Sequence, residues 1–296
     1  MSEDKALNSI VESLLAERKR DYRNKIAFRV VIILLVLSLL FIAPMSSSLN
    51  YSEPHIAVIE IDGMISSDTE ASASKIIPLL QQAESNEQCK VIFIKINSGG
   101  GSATQSKIIY DEIIKIRTKG DKKIYSIIED VGASGGYYIA MGADEIIASE
   151  TSIVGSIGVR LDSYDVRSFF NKLGIKSRTI YSGNNKLILD PFYELTSDQY
   201  NHVKKVTDQI HQQFISDLQS SRNSKLISNN DEIFSGLFYT GIEAKKLGLI
   251  DNISNIYAFK KDNYDDISIR KYNDSDNIIK QIIRSSFSHI YDINFN

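Results

Sequence analysis

The 296-residue chain contains one cysteine, no tryptophan, four prolines and four histidines. A single thiol, Cys89, excludes an intramolecular disulfide and any zinc site built on cysteines. The histidines, His55, His202, His211 and His289, are too scattered for metal-ligand spacing, so neither a metal nor another cofactor is expected. Basic excess is absent too: 34 Lys and Arg stand against 37 Asp and Glu, a net charge of −3. That balance argues against nucleic acid as a partner. What remains, 43% hydrophobic and 24% charged, is an ordinary globular composition.

Long apolar runs are scarce, with one exception. Residues 30–43 (VVIILLVLSLLFIA) are interrupted only by Ser38, and the run widens to the 20 residues 26–45 if Arg29 snorkels. Arg18, Lys19, Arg20, Arg23, Lys25 and Arg29 lie before or at its start, and no Lys or Arg follows until Lys75. The asymmetry predicts a single-pass anchor with the N-terminus in the cytoplasm and the remaining chain across the membrane. A cleaved signal peptide is the alternative, since Ser46 and Ser48 are small enough for a cleavage site, but the long charged leader favours an uncleaved anchor. The expected organisation is a cytoplasmic segment (1–25), a transmembrane anchor (26–45), a linker (46–54), one domain (55–258) and a tail of strand and helix character (259–296). In that tail Ile278, Ile279, Ile282, Ile283 and Phe287 share one helical face, an assembly surface or a face packed on its own domain.

Beyond the linker, β-branched runs at 55–61, 90–97 and 122–129 alternate with helical spacing at 72–83 and 103–118. That alternation predicts an α/β fold with a mostly parallel sheet. Shorter pieces follow: strands at 145–148, 153–159 and 176–181, a helix near 166–173, a long helix over 195–222 and a short one over 241–247.

The chain is organised around residues 130–140 (DVGASGGYYIA), where a strand feeds a small-residue turn and Ser134 opens a helical segment. A serine there lies beside unpaired backbone N–H groups that can hold a developing oxyanion, and small neighbours admit a peptide carbonyl. An N-cap is its other possible role. Gly132–Gly136 also fits G-x-S-x-G, the nucleophile elbow of α/β-hydrolases, which needs a downstream acid and then a histidine. His202 and His211 fall inside the long helix among polar residues, which predicts solvated positions, and His289 falls in the tail. None has the flanking loop that a triad histidine usually occupies. Gly99–Gly101 lacks the G-x-x-x-x-G-K-[ST] pattern of a phosphate loop.

Five motifs in order resemble signal peptide peptidase A (SppA), a membrane-anchored serine protease family with a ClpP/crotonase-like fold of stacked ββα units. Residues 94–101 (IKINSGGG) resemble its N-S-P-G-G strand-to-loop motif, and 133–140 (ASGGYYIA) its nucleophile segment. Residues 155–159 match its G-S-I-G-V element, 181–186 (YSGNNK) stand where it carries a general-base lysine, and 238–251 (FYTGIEAKKLGLID) resemble its late signature. Two departures are Gly99 in place of the usual proline and Leu187 where an acidic residue often follows the lysine.

The resemblance implies a Ser/Lys endopeptidase with Ser134 as nucleophile, Lys186 as general base and Ser156 orienting the lysine. N–H groups of Gly100 or Gly101, paired with that of Gly135, would hold the oxyanion. A lysine serves as base only when neutral, which demands apolar cover; Leu187-Ile188-Leu189 could supply it. Implied substrates are remnant signal peptides or other unfolded hydrophobic segments. The implied setting is the bacterial cytoplasmic (inner) membrane with the catalytic domain on the periplasmic side, and the implied assembly a homo-oligomeric ring. A crotonase-like acyl-CoA enzyme and an inert membrane scaffold are the alternatives.

Overall fold

The computed structural model describes residues 15, 18–34, 53–222, 224–227 and 231–273. The chain divides into two units, residues 1–50 and 51–296. In the first, residues 18–34 are helical and exposed. No helix among the described residues is long and apolar enough to cross a membrane. The expected span 26–45 runs past them, and its second half lies outside the described residues.

The second unit is built on parallel strands joined by helices: β1 (His55–Asp62), α1 (Ala73–Ser85), β2 (Cys89–Ser98), α2 (Ala103–Lys119) and β3 (Lys123–Ala133). The six-residue α3 (Gly135–Ala140) follows β3, then β4 (Glu145–Ala148) and β5 (Ile153–Gly155). Next come α4 (Arg167–Lys172), the long α5 (Ser197–Arg222), β6 (Phe238–Thr240) and α6 (Gly241–Lys246). The described part closes with β7 (Asn252–Ile253), α7 (Ile256–Tyr264) and β8 (Ser268–Lys271). The sheet order is β6-β5-β3-β2-β1-β8, with β4 and β7 off that path. β3 pairs with β4 from Tyr125 to Ile128 and with β5 from Val131 to Ala133, so the sheet forks just before Ser134.

Both faces of the central strands are covered, which is why they read as nearly unbroken apolar runs. Ala57, Ile59, Ile61, Ile92, Ile94 and Ile96 pack with Ile76 and Leu80 of α1 and Ile109 and Ile113 of α2. The alternate residues Ile56, Val58, Val91, Phe93 and Ile127 face Ile256 and Phe259 of α7. The domain limit expected at residue 258 therefore falls inside α7. Phe259 and Tyr272 are buried in the core, and β8 pairs in parallel with β1. The helical face at 278–287 lies outside the described residues.

Two expectations change. Residues 176–181 form no strand, and no neighbouring strand pairs with them. The strand expected over 153–159 stops at Gly155, because Gly155 and Ser156 take φ of 103° and 52° and turn the chain out of the sheet.

His55 closes the edge where β1 meets β8. It is fully buried; its Nδ1–H donates to the Glu53 carbonyl at 2.9 Å, and Nε2 is 2.9 Å from the Tyr272 hydroxyl, which donates to it. Burial holds its pKa below the ordinary 6.5, helped by Arg270, Lys122 and Lys90 and partly offset by the Glu53 carbonyl. The unfolded histidine thus binds a proton more readily than the folded one, so its stabilising effect is present above pH 6.5 and is lost as pH falls below it. Thermal melts should show the midpoint dropping as pH falls below 6.5 toward the lowered folded value, with a shallower drop in His55→Gln.

Candidate active site

Ser134 sits at the junction of β3 and α3 with φ 50° and ψ −120°. This is not the extended backbone of an N-cap, and its hydroxyl makes no capping bond. Among the described residues its Oγ has no hydrogen-bond partner, although the residue is only half-exposed. Its amide donates to the Gly155 carbonyl at 2.8 Å. Everything after it is packed tight, since all six residues of α3 are buried. The Tyr137 hydroxyl donates to the Leu249 carbonyl at 2.8 Å, and the Tyr138 hydroxyl donates to Asp217 on α5. Burial, reinforced by Asp217, holds the Tyr138 phenol well above its usual pKa, so it remains a donor across the physiological range. Tyr138 also packs on Phe214 with ring centroids 4.4 Å apart.

The glycine loop lies against this junction. A Cβ on Gly100 would stand 2.7 Å from the Gly135 nitrogen and 2.9 Å from the Ser134 Cβ. A Cβ on Gly135 would stand 3.3 Å from the Gly101 nitrogen. The two Gly100 and Gly101 amides differ. Gly100 donates to Ser98 Oγ at 3.1 Å, while the Gly101 N–H has no acceptor among the described residues. The Gly135 N–H, in the first turn of α3, has no intrahelical acceptor. Two amides therefore remain available beside an unbonded hydroxyl.

Ser156 continues the same turn: Gly155 accepts from Ser134, and the Ser156 amide donates to the Leu237 carbonyl at 2.7 Å. Among the described residues Lys186 makes no hydrogen bond to Ser134. It is exposed, it is held only through its amide to the Gly183 carbonyl at 3.0 Å, and no hydrogen bond or ion pair engages its Nζ among the described residues. Leu187–Leu189 are half-buried and leave it uncovered. Of the histidines, His202 is exposed as expected. His211 is not solvated as expected: it is half-buried and lies 3.1 Å from the Ile157 carbonyl. Neither it nor His202 hydrogen-bonds Ser134, and His289 lies outside the described residues. Ser98, His211, Tyr138 and Asp217 escaped the motif reading because their roles come from contacts distant in sequence. Ser98 and Tyr138 carried a signal, as parts of the strand-to-loop motif and of the 133–140 segment.

A sequence model of peptidase family S49 matches residues 116–265, just over half the chain and a stretch holding Ser134, Ser156 and Lys186. The chain belongs to peptidase family S49. A Clp protease model matches residues 57–153, which include the glycine loop and Ser134. This S49 chain is similar to the Na(+)/H(+) antiporter NhaA of Brucella melitensis, 36% identical over 219 residues, 72% of this chain and 30% of that protein. It is also similar to a Synechocystis sp. protein bearing a protease name, 31% identical over 67% of this chain and 69% of that protein. The serine protease SPPA of Arabidopsis thaliana chloroplasts is 28% identical over 68% of this chain and 31% of that protein. The chain thus spans about a third of the length of the antiporter-named relatives it matches.

The crowding at the loop sets an expectation. Gly101→Ala would place a Cβ 2.1 Å from the Ile65 carbonyl at φ 152°, whereas Gly99 has nothing within 4 Å. Urea unfolding should show Gly101→Ala costing about 2 kcal/mol or more, and Gly99→Ala within about 0.5 kcal/mol of wild type.

Proposed function

We propose that this chain is a membrane-anchored serine endopeptidase in which Ser134 is the nucleophile, Lys186 the general base and Ser156 the group that orients the lysine. The observation that carries the reading is the unbonded Ser134 hydroxyl, held at φ 50° beside the unengaged amides of Gly101 and Gly135. Membership of family S49 supports it. The oxyanion donors are Gly101 and Gly135 rather than Gly100, whose amide is committed to Ser98.

In this mechanism Ser134 Oγ attacks the scissile carbonyl and passes its proton to neutral Lys186. The former carbonyl oxygen takes up the charge and is held by the two amides. Collapse breaks the peptide bond, the leaving amine takes the proton from the lysine, and water then releases the acyl group by the same route. The substrates are remnant signal peptides or other unfolded hydrophobic segments with small or aliphatic side chains near the cut. The anchor is 26–45, in a bacterial inner membrane with the domain on the periplasmic side, as the charge asymmetry implies.

The exposure of Lys186 bears on assembly. A base lysine must be shielded from water to be neutral, yet residues 160–196 contain no buried residue. This arm displays Leu161, Tyr164, Phe169, Leu173, Ile175 and Ile180 to solvent. A second copy of the chain would cover it and bring Lys186 to that copy's Ser134. Repeated head to tail, this contact closes a ring.

Fluorophosphonate labelling of the full-length protein tests the nucleophile. Label and peptide hydrolysis should both vanish in Ser134→Ala. Lys186→Ala should abolish hydrolysis, and His202→Ala should leave kcat within about threefold. A folded wild-type protein that takes no label would instead support an acyl-CoA enzyme or an inert scaffold, and label that survives Ser134→Ala would place the nucleophile elsewhere.

A further inference from the structure

Among the described residues three non-glycine positions have positive φ, and two of them, Ser134 and Ser156, stand side by side at the paired ends of β3 and β5. Such conformations persist only where surrounding bonds over-determine them. Here three consecutive residues are each pinned from a different element. The Gly155 carbonyl takes the Ser134 amide at 2.8 Å, and the Ser156 amide reaches the Leu237 carbonyl at 2.7 Å. The Ile157 carbonyl lies 3.1 Å from His211 Nε2 on α5. A carbonyl can only accept, so Nε2 carries the proton, and the bond holds whether the ring is neutral or charged.

Helix α5 is itself registered against the nucleophile helix. Phe214, one turn after His211, packs on Tyr138, and Asp217 accepts from the Tyr138 hydroxyl. His211, Phe214 and Asp217 therefore form one stripe that touches both α3 and the Ser156 turn. Phe214 and Asp217 set where α5 lies, and His211 passes that position on to the turn. Ile157 is fully buried, so the turn has little room to adjust by itself.

We propose that His211 is a positioning residue: its Nε2–H, donated to the Ile157 carbonyl, sets Ser156 against Ser134 and so governs acyl transfer without touching substrate. This inference rests on the roles given to Ser134 and Ser156 above.

The test uses the full-length enzyme with His211→Leu, of similar bulk but no donor, and His211→Gln, whose amide nitrogen can take the place of Nε2. Hydrolysis is normalised to fluorophosphonate-titrated sites, so lost folding does not count as lost rate. His211→Leu should lower kcat about three- to tenfold with KM unchanged, the loss of one hydrogen bond, and His211→Gln should stay within about twofold of wild type. In a Ser156→Ala background His211→Leu should cost less than about twofold more, because both changes act through one turn. Unchanged kcat in His211→Leu, a Gln variant no better than Leu, or an undiminished loss in the Ser156→Ala background would each overturn the proposal. Should His211→Leu not fold, His211→Asn, with an amide too short to reach, carries the same expectations. Survival of activity in Ser134→Ala would overturn the mechanism itself; loss there with indifference at His211 would sink this inference alone.

Discussion

The 2.8 Å bond between the Ser134 amide and the Gly155 carbonyl joins the end of β3 to the end of β5 at the point where the sheet forks. It holds Ser134 at a backbone angle that a serine adopts only at a cost of about 1–3 kcal/mol. Strand pairing from Val131 to Ala133 on one side, and the buried tyrosines of α3 on the other, leave the residue no alternative. The same constraint explains the glycines. With α3 starting this close to the loop after β2, side chains are excluded at Gly100, Gly135 and Gly136, where a Cβ would meet backbone or the Ser106 hydroxyl at 2.7 Å or less. Bare backbone at these places is what leaves the Gly101 and Gly135 amides open to a ligand.

Much of this was legible in the sequence, for identifiable reasons. The central strands are covered on both faces, so their β-branched runs stood out, and the small-residue turn around Ser134 marked the strand-to-helix junction. The C-terminal elements were harder. β8 holds one apolar residue, Ile269, and what fixes α7 and β8 is non-local: Phe259 lies against Phe93, and β8 pairs with β1, about 210 residues away. The run KSRTIY at 176–181 carries strand-like residues, but no strand among the described residues pairs with it. His211 was read as a solvated helix position because its partner, the Ile157 carbonyl, is 54 residues distant and is brought to it only by the packing of α5 on α3. Ser98 likewise separates Gly100 from Gly101: its hydroxyl takes the Gly100 amide, and the Gly101 amide has no acceptor among the described residues.

In the mechanism proposed here, the single chain holds the nucleophile and leaves the proposed base in solvent. Ser134 and the amides of Gly101 and Gly135 stand together, whereas Lys186 lies on an arm whose apolar residues face water. Covering such side chains would contribute about 1.5–3 kcal/mol each toward the association proposed above, and the same cover would shield Lys186 from water. On this reading oligomerisation and activation are the same event, and an isolated subunit is a proteolytically silent one.

The most direct test mixes Ser134→Ala and Lys186→Ala subunits, each inactive alone, by co-refolding or co-expression. With random one-to-one mixing in a head-to-tail ring, roughly a quarter of neighbouring pairs join an intact Ser134 to an intact Lys186. A site shared between copies predicts peptide hydrolysis near that fraction of wild type. No recovery, in rings that native mass spectrometry shows to be mixed, would place both residues in one protomer and contradict it.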